Sequence, residues 1–372
     1  MNAKVELPAG VSLPLNLGLN DGTYCPQASL DAMLRFNHRT SLRNYTDANN
    51  DRLRGAIAAA DGVHADNVFL QNGSGPILKQ VVPHVIRSTI KASPKRIARH
   101  LIAKNGYPII TPRLTYSKVP RKASELGLTV HMLPLAPEDG FRLNVDLLDQ
   151  RLQKQEGFVY ITSPNNPTGN VLITRKQLEP LLQRYPTSTF WIDEAYVQYV
   201  DEAEHEYISP LVARYPNLLV SRTFSFAYGL AGLRVGYLLA NPQLVKDLNG
   251  QLTDYRVGML QEAMVIAGLH DKEHLPFVRD TCATERAVLL AGMGAMKGVE
   301  AFPSQVNFIF ARFTDGRTGA WLKARMAERG IQIKCFDPFA GERYDEYFRV
   351  TLGVAAENLY FLDVMRDVLA KG

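Results

Sequence analysis

The sequence predicts an α/β protein: a mostly parallel sheet in a large domain, residues 30–270, with a smaller α+β domain formed by residues 1–29 and 271–372. Two observations predict it. Short apolar runs alternate with segments of helical period over residues 40–270, the pattern of parallel strands joined by helices. The polar residues best suited to chemistry fall mostly where those runs stop, and ligands of such sheets lie beyond the carboxyl ends of the strands.

In chain order, residues 11–30 read as a loop-rich arm with Pro14, Gly18, Gly22 and Pro26, followed by a helix over residues 29–37. The next helix takes Asn49 or Asn50 as its cap, carries Leu53, Ile57 and Ala60 at helical spacing, and ends at Asp61 and Gly62. Residues 68–70 form a strand that runs into Gln71-Asn72-Gly73-Ser74-Gly75, with Ile77, Leu78, Val81 and Val82 behind it. Strand, glycine turn and helix suit an anion, although a plain turn explains Asn-Gly-Ser-Gly, taken by itself, better. Residues 87–107 carry Arg87, Lys91, Lys95, Arg96, Arg99 and Lys104, and a solvated insertion explains them better than a partner-binding patch.

Residues 109–111 and 129–133 read as buried strands. Residues 158–162 form another, ended by Ser163-Pro164-Asn165-Asn166-Pro167-Thr168-Gly169, where prolines and glycine forbid regular structure. Thr174 and Gln177 make a capping box for a helix that carries Leu178, Leu181 and Leu182. A strand over residues 189–192 stops at Asp193-Glu194, and strands at 218–220 and 236–240 flank the segment from Arg222 to Gly236. Strands at 306–311, 331–334 and 348–351 belong to the smaller domain.

Composition narrows the function classes. Hydrophobic residues at 46% and charged residues at 21% are ordinary for a soluble globular chain of 372 residues. A net charge of +5, with Lys and Arg scattered, gives a slight bias toward small anions rather than nucleic acid. The three cysteines, Cys25, Cys282 and Cys335, are odd in number and show no metal spacing, so free thiols in a reducing compartment and no metal are expected. The first residues lack the apolar block of a signal peptide and no apolar run spans a membrane, so the expected location is cytoplasmic.

The segment Arg222-Thr223-Phe224-Ser225-Phe226-Ala227-Tyr228-Gly229-Leu230-Ala231-Gly232-Leu233-Arg234 organises the rest. It resembles the cofactor-anchoring segment of fold-type I pyridoxal phosphate (PLP) aminotransferases of class I/II, most closely the histidinol-phosphate aminotransferase branch, which reads Arg-Thr-Leu-Ser-Lys-Ala-Phe-Gly-Leu-Ala-Gly-Leu-Arg. The resemblance runs from about Leu15 to Gly353 with its motifs in family order. It implies an aspartate aminotransferase-like fold with a large PLP-binding domain. Where the family has the lysine that forms the Schiff base, this chain has Phe226, which has no amine to bond PLP or move a proton.

Further roles follow from the resemblance. It assigns backbone amides of Gly73, Ser74 and Gly75, with Thr223, Ser225 and Arg234, to the cofactor phosphate, although Gly75-Pro76 departs from the family's Gly-Ser-Asp-Glu. Asp193 would pair with the pyridine nitrogen, a helix cap being the structural alternative, and Asn166 and Tyr196 would hold the ring hydroxyl. Tyr116 would stack on the ring, and Tyr45 would reach the phosphate of a neighbour in a homodimer. Arg349 would grip a substrate carboxylate, Tyr24 would lie on the arm that covers the site, and Lys334 stands where a substrate phosphate is bound.

Phe226 leaves several readings open. The chain is an aminotransferase-like enzyme that holds PLP or pyridoxamine 5'-phosphate without a covalent bond and acts on a small anionic amino acid or keto acid. Alternatively it is a silent sensor, scaffold or partner subunit that binds a cofactor–amino acid adduct, a pocket turned to lysine-independent chemistry, or a chain with an engineered change at residue 226.

Overall fold

The computed structural model describes residues 7–36, 45–47, 49–104, 106–201, 206–251, 257–336 and 343–371. The arm contributes a short strand, β1 (Leu15–Asn16), and leads into helix α1 (Gln27–Arg35). The predicted last residue of that helix, Asn37, lies outside the described residues. Helix α2 (Asp51–Asp61) starts after Asn50, but Asn50 is left-handed and does not cap it. Its side chain is turned away and donates to the Val257 carbonyl at 2.9 Å and to Glu262 at 3.1 Å, while Asp47 accepts from the Asp51 amide at 2.7 Å.

Strand β2 (Val68–Gln71) opens the large sheet, followed by α3 (Ser74–Lys91) and α4 (Pro94–Ala103). The basic segment is helical, and no residue of α4 is buried: Ser93 caps α4, and Arg96 makes a double hydrogen bond to Glu156 at 2.8 and 2.7 Å. Leu101 and Ile102 stay 71% and 86% exposed on it.

The sheet continues with β3 (Ile109–Pro112), α5 (Lys118–Glu125), β4 (Val130–Leu133), α6 (Val145–Lys154), β5 (Phe158–Thr162), α7 (Arg175–Arg184), β6 (Thr189–Asp193), β7 (Leu218–Thr223) and β8 (Gly236–Leu239). The capping box at α7 forms as its sequence dictates, the Gln177 amide facing the Thr174 hydroxyl. The seven strands lie in the order β2-β8-β7-β6-β5-β3-β4. All pairs from β7 to β4 are parallel, and β8 runs antiparallel to both β7 and β2.

Strands β5, β6 and β7 are buried along nearly their whole length, because helices cover both faces of a parallel sheet and no side can be polar. Val159, Ile161, Phe190 and Ile192 pack with Leu178 and Leu182 of α7 on one face. Phe158, Tyr160, Trp191 and Leu219 pack with Ile77, Val81 and Val82 of α3 on the other. The predicted buried strand at residues 129–133 is corrected here. As the edge strand, β4 has a neighbour on one side only, and Val130, His131 and Met132 are half-buried.

The chain then forms α8 (Pro242–Asn249), α9 (Met259–His270) and α10 (His274–Gly294) before a second, antiparallel sheet. That sheet holds β9 (Val299–Phe302) and β10 (Phe308–Phe313), then, after α11 (Gly319–Ala327), β12 (Lys334–Cys335) and β13 (Tyr347–Thr351) in the order β12-β13-β10-β9. Strand β11 (Ile331–Gln332) is separate from β12 and pairs in parallel with β1, Leu15 opposite Ile331, which ties the arm to the far end of the chain. A last helix, α12 (Ala355–Lys371), packs its Phe361 and Met365 into the second core with Phe308 and Phe348. All three cysteines are free thiols. Among the described residues no helix is long and apolar enough to cross a membrane, and no cluster of His, Cys, Asp and Glu could hold a metal.

Candidate active site

Parallel strands end together, so their last residues meet at one edge. Thr162, Asp193 and Ser221 are in register across β5, β6 and β7, and Gln71 at the end of β2 lies opposite Gly236 at the start of β8. A cleft of about 640 Å³ opens nearby, lined by Asn20, Tyr116, Asn166, Tyr196, Phe226 and Arg349 among others.

The β5 end positions two of these residues. Thr162 and Thr115 both meet Asn165 Oδ1, and Asn165 Nδ2 donates to the Leu114 carbonyl at 2.8 Å and to Thr168 at 2.7 Å. The fully buried Asn165 thereby holds the Tyr116 and Asn166 loops together. From Asn166 a polar chain crosses the cleft. Arg349 donates to Asn166 Oδ1 at 2.6 Å and to the Gly18 carbonyl at 2.8 Å, while Asn166 and Asn20 donate to the Tyr196 oxygen at 3.3 and 3.0 Å. Asn20 was not foreseen. It is left-handed, with φ 63°, and its Oδ1 accepts from Thr351, so β13 fixes it.

Phe226 stacks on Tyr196 with ring centroids 4.4 Å apart and planes 9° from parallel. Its loop is tight: Gly229 has φ 58°, and a Cβ there would collide with the Tyr24 carbonyl of the arm. Burial pushes the Tyr196 hydroxyl well up, Arg349 opposing part of the shift, and burial with Asp193 pushes Tyr116 up to about 12. Both phenols therefore keep their protons at neutral pH.

Asp193 is buried at the end of β6. Its Oδ2 accepts from Tyr160 at 2.9 Å, whereas Oδ1 is buried without a hydrogen-bond partner. Burial first of all pushes this carboxyl up, against the opposing pull of Tyr160 and Ser221. An unsatisfied buried acceptor is costly, so a donor that completes it is a natural ligand group.

A donor cradle lies beside it. Thr223, Ser225 and Arg234 converge, with Thr223 Oγ1 3.0 Å from Ser225 Oγ, and Arg234 is left-handed at φ 53°. Gly73, at φ 94°, lies so close to the Arg234 guanidinium that a Cβ would collide with Nη2. The expectation that the Gly73 amide binds an anion is corrected, because that N–H donates to the Gln71 carbonyl at 2.7 Å. Since Pro76 has no N–H, the amides left at the start of α3 are those of Ser74 and Gly75.

Eight of the predicted residues do not line this cleft: Gly73, Ser74, Gly75, Asp193, Thr223 and Ser225, placed above, and Tyr24 and Tyr45. Tyr24 packs edge-on against Phe277 with centroids 5.1 Å apart, and the arm lines the cleft instead with Gly18, Leu19, Asn20 and Asp21. Tyr45 is 81% exposed and does not line it. Lys334 does, together with Arg113, Lys118 and Arg121, which sequence reasoning missed because they flank Tyr116 without a motif of their own. Among the described lining residues these cations, with Arg234 and Arg349, face a single carboxylate, Asp21.

Beneath the cleft, Arg222 is buried and donates to Glu194 at 2.8 and 2.7 Å, to Ser209 at 3.1 Å and to Asp61, which also accepts from Tyr237 at 2.8 Å. Removing one partner of such a group strands the other charges in a dry interior. We expect Arg222→Ala to lower the unfolding free energy by about 3–5 kcal/mol. A urea titration reads it, and a loss under about 1 kcal/mol would mean that water reaches the two carboxylates.

Comparison with known proteins agrees with this geometry. The family described as Aminotransferase class I and II matches residues 14–364. A histidinol-phosphate aminotransferase of Gluconacetobacter diazotrophicus is 33% identical over 360 residues, 96% of this chain and 92% of that protein. Histidinol-phosphate aminotransferase 2 of Thiobacillus denitrificans is 33% identical over 95% of this chain and 90% of its own length. Among solved structures, histidinol-phosphate aminotransferase from Sinorhizobium meliloti in complex with pyridoxal-5'-phosphate superposes with a TM-score of 0.80 at 23% identity, covering 97% of this chain and 92% of that one. The strand order, the cleft at the strand ends and the extent of these matches lead to one conclusion: the chain belongs to the class I and II aminotransferases, PLP-dependent enzymes of the aspartate aminotransferase-like fold.

Proposed function

We propose that this chain binds PLP or pyridoxamine 5'-phosphate without a covalent bond and acts as an aminotransferase-like enzyme on a small anionic amino acid or keto acid. The observation that carries the reading is the buried, unpartnered Asp193 Oδ1, close enough to Tyr116 to raise its pKa and beside the Thr223, Ser225 and Arg234 cradle. A protonated pyridine nitrogen would complete that acceptor, and a phosphate would complete the cradle with the Ser74 and Gly75 amides. When bound, the cofactor supplies an electron-withdrawing ring for chemistry at the α-carbon of an amino acid.

The chain's own residues divide the remaining work. Tyr116 stacks on the ring, and Asn166 and Tyr196 donate to its hydroxyl oxygen. Arg349, its Nε buried without a partner, grips the substrate carboxylate, and Lys334 draws a second negative group to the mouth. On this reading Tyr45 serves a neighbouring cleft in a homodimer, since it is exposed and away from its own. Phe226 supplies neither tether nor proton shuttle. Losing a positioned acid–base lowers the rate by roughly two to four powers of ten, so slow turnover is expected from this chain.

Titration of the purified chain with each cofactor form should give a saturable spectral change, and its absence for both would remove the cofactor from the reading. Borohydride reduction of the PLP-loaded chain should leave no cofactor attached at residue 226. A cofactor-sized mass on Lys118 or Lys334, the lysines lining the cleft among the described residues, would replace non-covalent binding with a displaced anchor.

A further inference from the structure

A second cavity, of about 740 Å³, opens on the edge strand β4 between α5 and α6. Leu128, Val130, Leu133 and Leu147 give it apolar walls, while Arg113, His131, Arg151 and Lys154 give it charge, and no carboxylate is among its lining residues. Arg113 lines both this cavity and the active-site cleft.

Two of its groups are incomplete as they stand. His131 Nε2 is buried without a hydrogen-bond partner. The Arg151 guanidinium is half-buried and has no hydrogen bond or ion pair among the described residues; burial alone pulls its pKa down. The two oppose each other, for burial and then Arg151 hold His131 below its ordinary value. The two carboxylates on the same helix are no help: Asp149 is bound by Arg184 at 2.7 Å and by Tyr185 at 2.8 Å, and Asp146, in the first turn, makes no ion pair with Arg151. The dipole of α6 favours cations in its last turn, which accounts for Lys154 and Arg151 as residue types. It does not account for a half-buried, unpaired Arg151 set beside a histidine, an arrangement that a bound anion would complete.

We propose that this cavity is a binding site for a small phosphate monoester, whose phosphate meets Arg151, Lys154 and His131 while its apolar body lies along Leu128 and Leu147. A phosphate dianion matches several cations and an imidazole donor better than a carboxylate does. Through Arg113 the site borders the catalytic cleft, so its ligand is placed to influence that cleft.

Calorimetric titration tests this with phenyl phosphate as probe and the full-length Arg234→Gln chain as host, which weakens competing binding in the cleft. One saturable event is expected, weakened at least tenfold by adding Arg151→Gln and partly recovered by Arg151→Lys. Lys154→Gln should also weaken it, and benzoate should bind at least tenfold less tightly than phenyl phosphate. Melting curves of each variant establish that it is folded. No saturable event in the Arg234→Gln chain, an Arg151→Gln chain that binds as tightly as its parent, or benzoate binding as tightly as the phosphate would each overturn the proposal.

Discussion

Phe226→Lys is expected to raise transamination by at least about a hundredfold over the parent chain. The backbone already holds residue 226 at the cleft. Its carbonyl accepts from the Gly229 amide at 2.8 Å, the arm packs against it at Gly22, and Thr223 and Ser225 just before it belong to the cradle. None of these contacts uses the phenyl ring, so a lysine there enters the same space. What is lost is the stacked pair with Tyr196, worth about 0.5–1.5 kcal/mol, too little to unfold the chain. Assay over a panel of amino acids reads the gain, and borohydride should now fix cofactor to residue 226. A variant that binds cofactor but gains no activity would sink the aminotransferase reading and favour an adduct-binding role.

The large sheet and the smaller one were legible to different degrees. Strands β5, β6 and β7 announce themselves because burial on both faces demands unbroken apolar runs, and polar residues stop them at the edge where the site lies. Strand β9 reads Val-Glu-Ala-Phe, short and mixed, and becomes a strand only through pairing with β10, information that no local pattern holds. The same limit applies within the site. Asp193, Arg234 and Arg349 sit in motifs, whereas Asn20 is defined by bonds to Thr351 and Tyr196, far away in sequence. Arg222 lay in the recognised segment, yet its partner Asp61 belongs to α2 and nothing local joins them. The amide of Gly73 was misassigned because a glycine turn promises donors, and only coordinates show that one of them is already bonded to Gln71.

Asp193→Asn is expected to separate binding from stability. The Asp193 carboxyl group is buried and its Oδ1 has no partner. Its folded pKa is raised, chiefly by burial, so the stability it contributes is complete only below the ordinary carboxyl range and is lost as pH rises through the raised value. At neutral pH the cofactor-free Asp193→Asn chain should therefore melt at or above the parent's temperature, and this advantage should shrink as the pH is lowered toward 4. Cofactor affinity should move the other way. An amide carries no charge to hold a protonated pyridine nitrogen, and truncating one partner of a buried charged pair costs about 2–5 kcal/mol. That corresponds to a loss of roughly thirty- to several-thousandfold in affinity for either cofactor form, read by spectral titration. Equal affinity in the two chains would remove Asp193 from the ring-nitrogen role. A lower melting temperature for the cofactor-free variant at neutral pH would instead mean that the carboxylate stabilises the empty fold, through Tyr160 above all, and was not kept for a ligand.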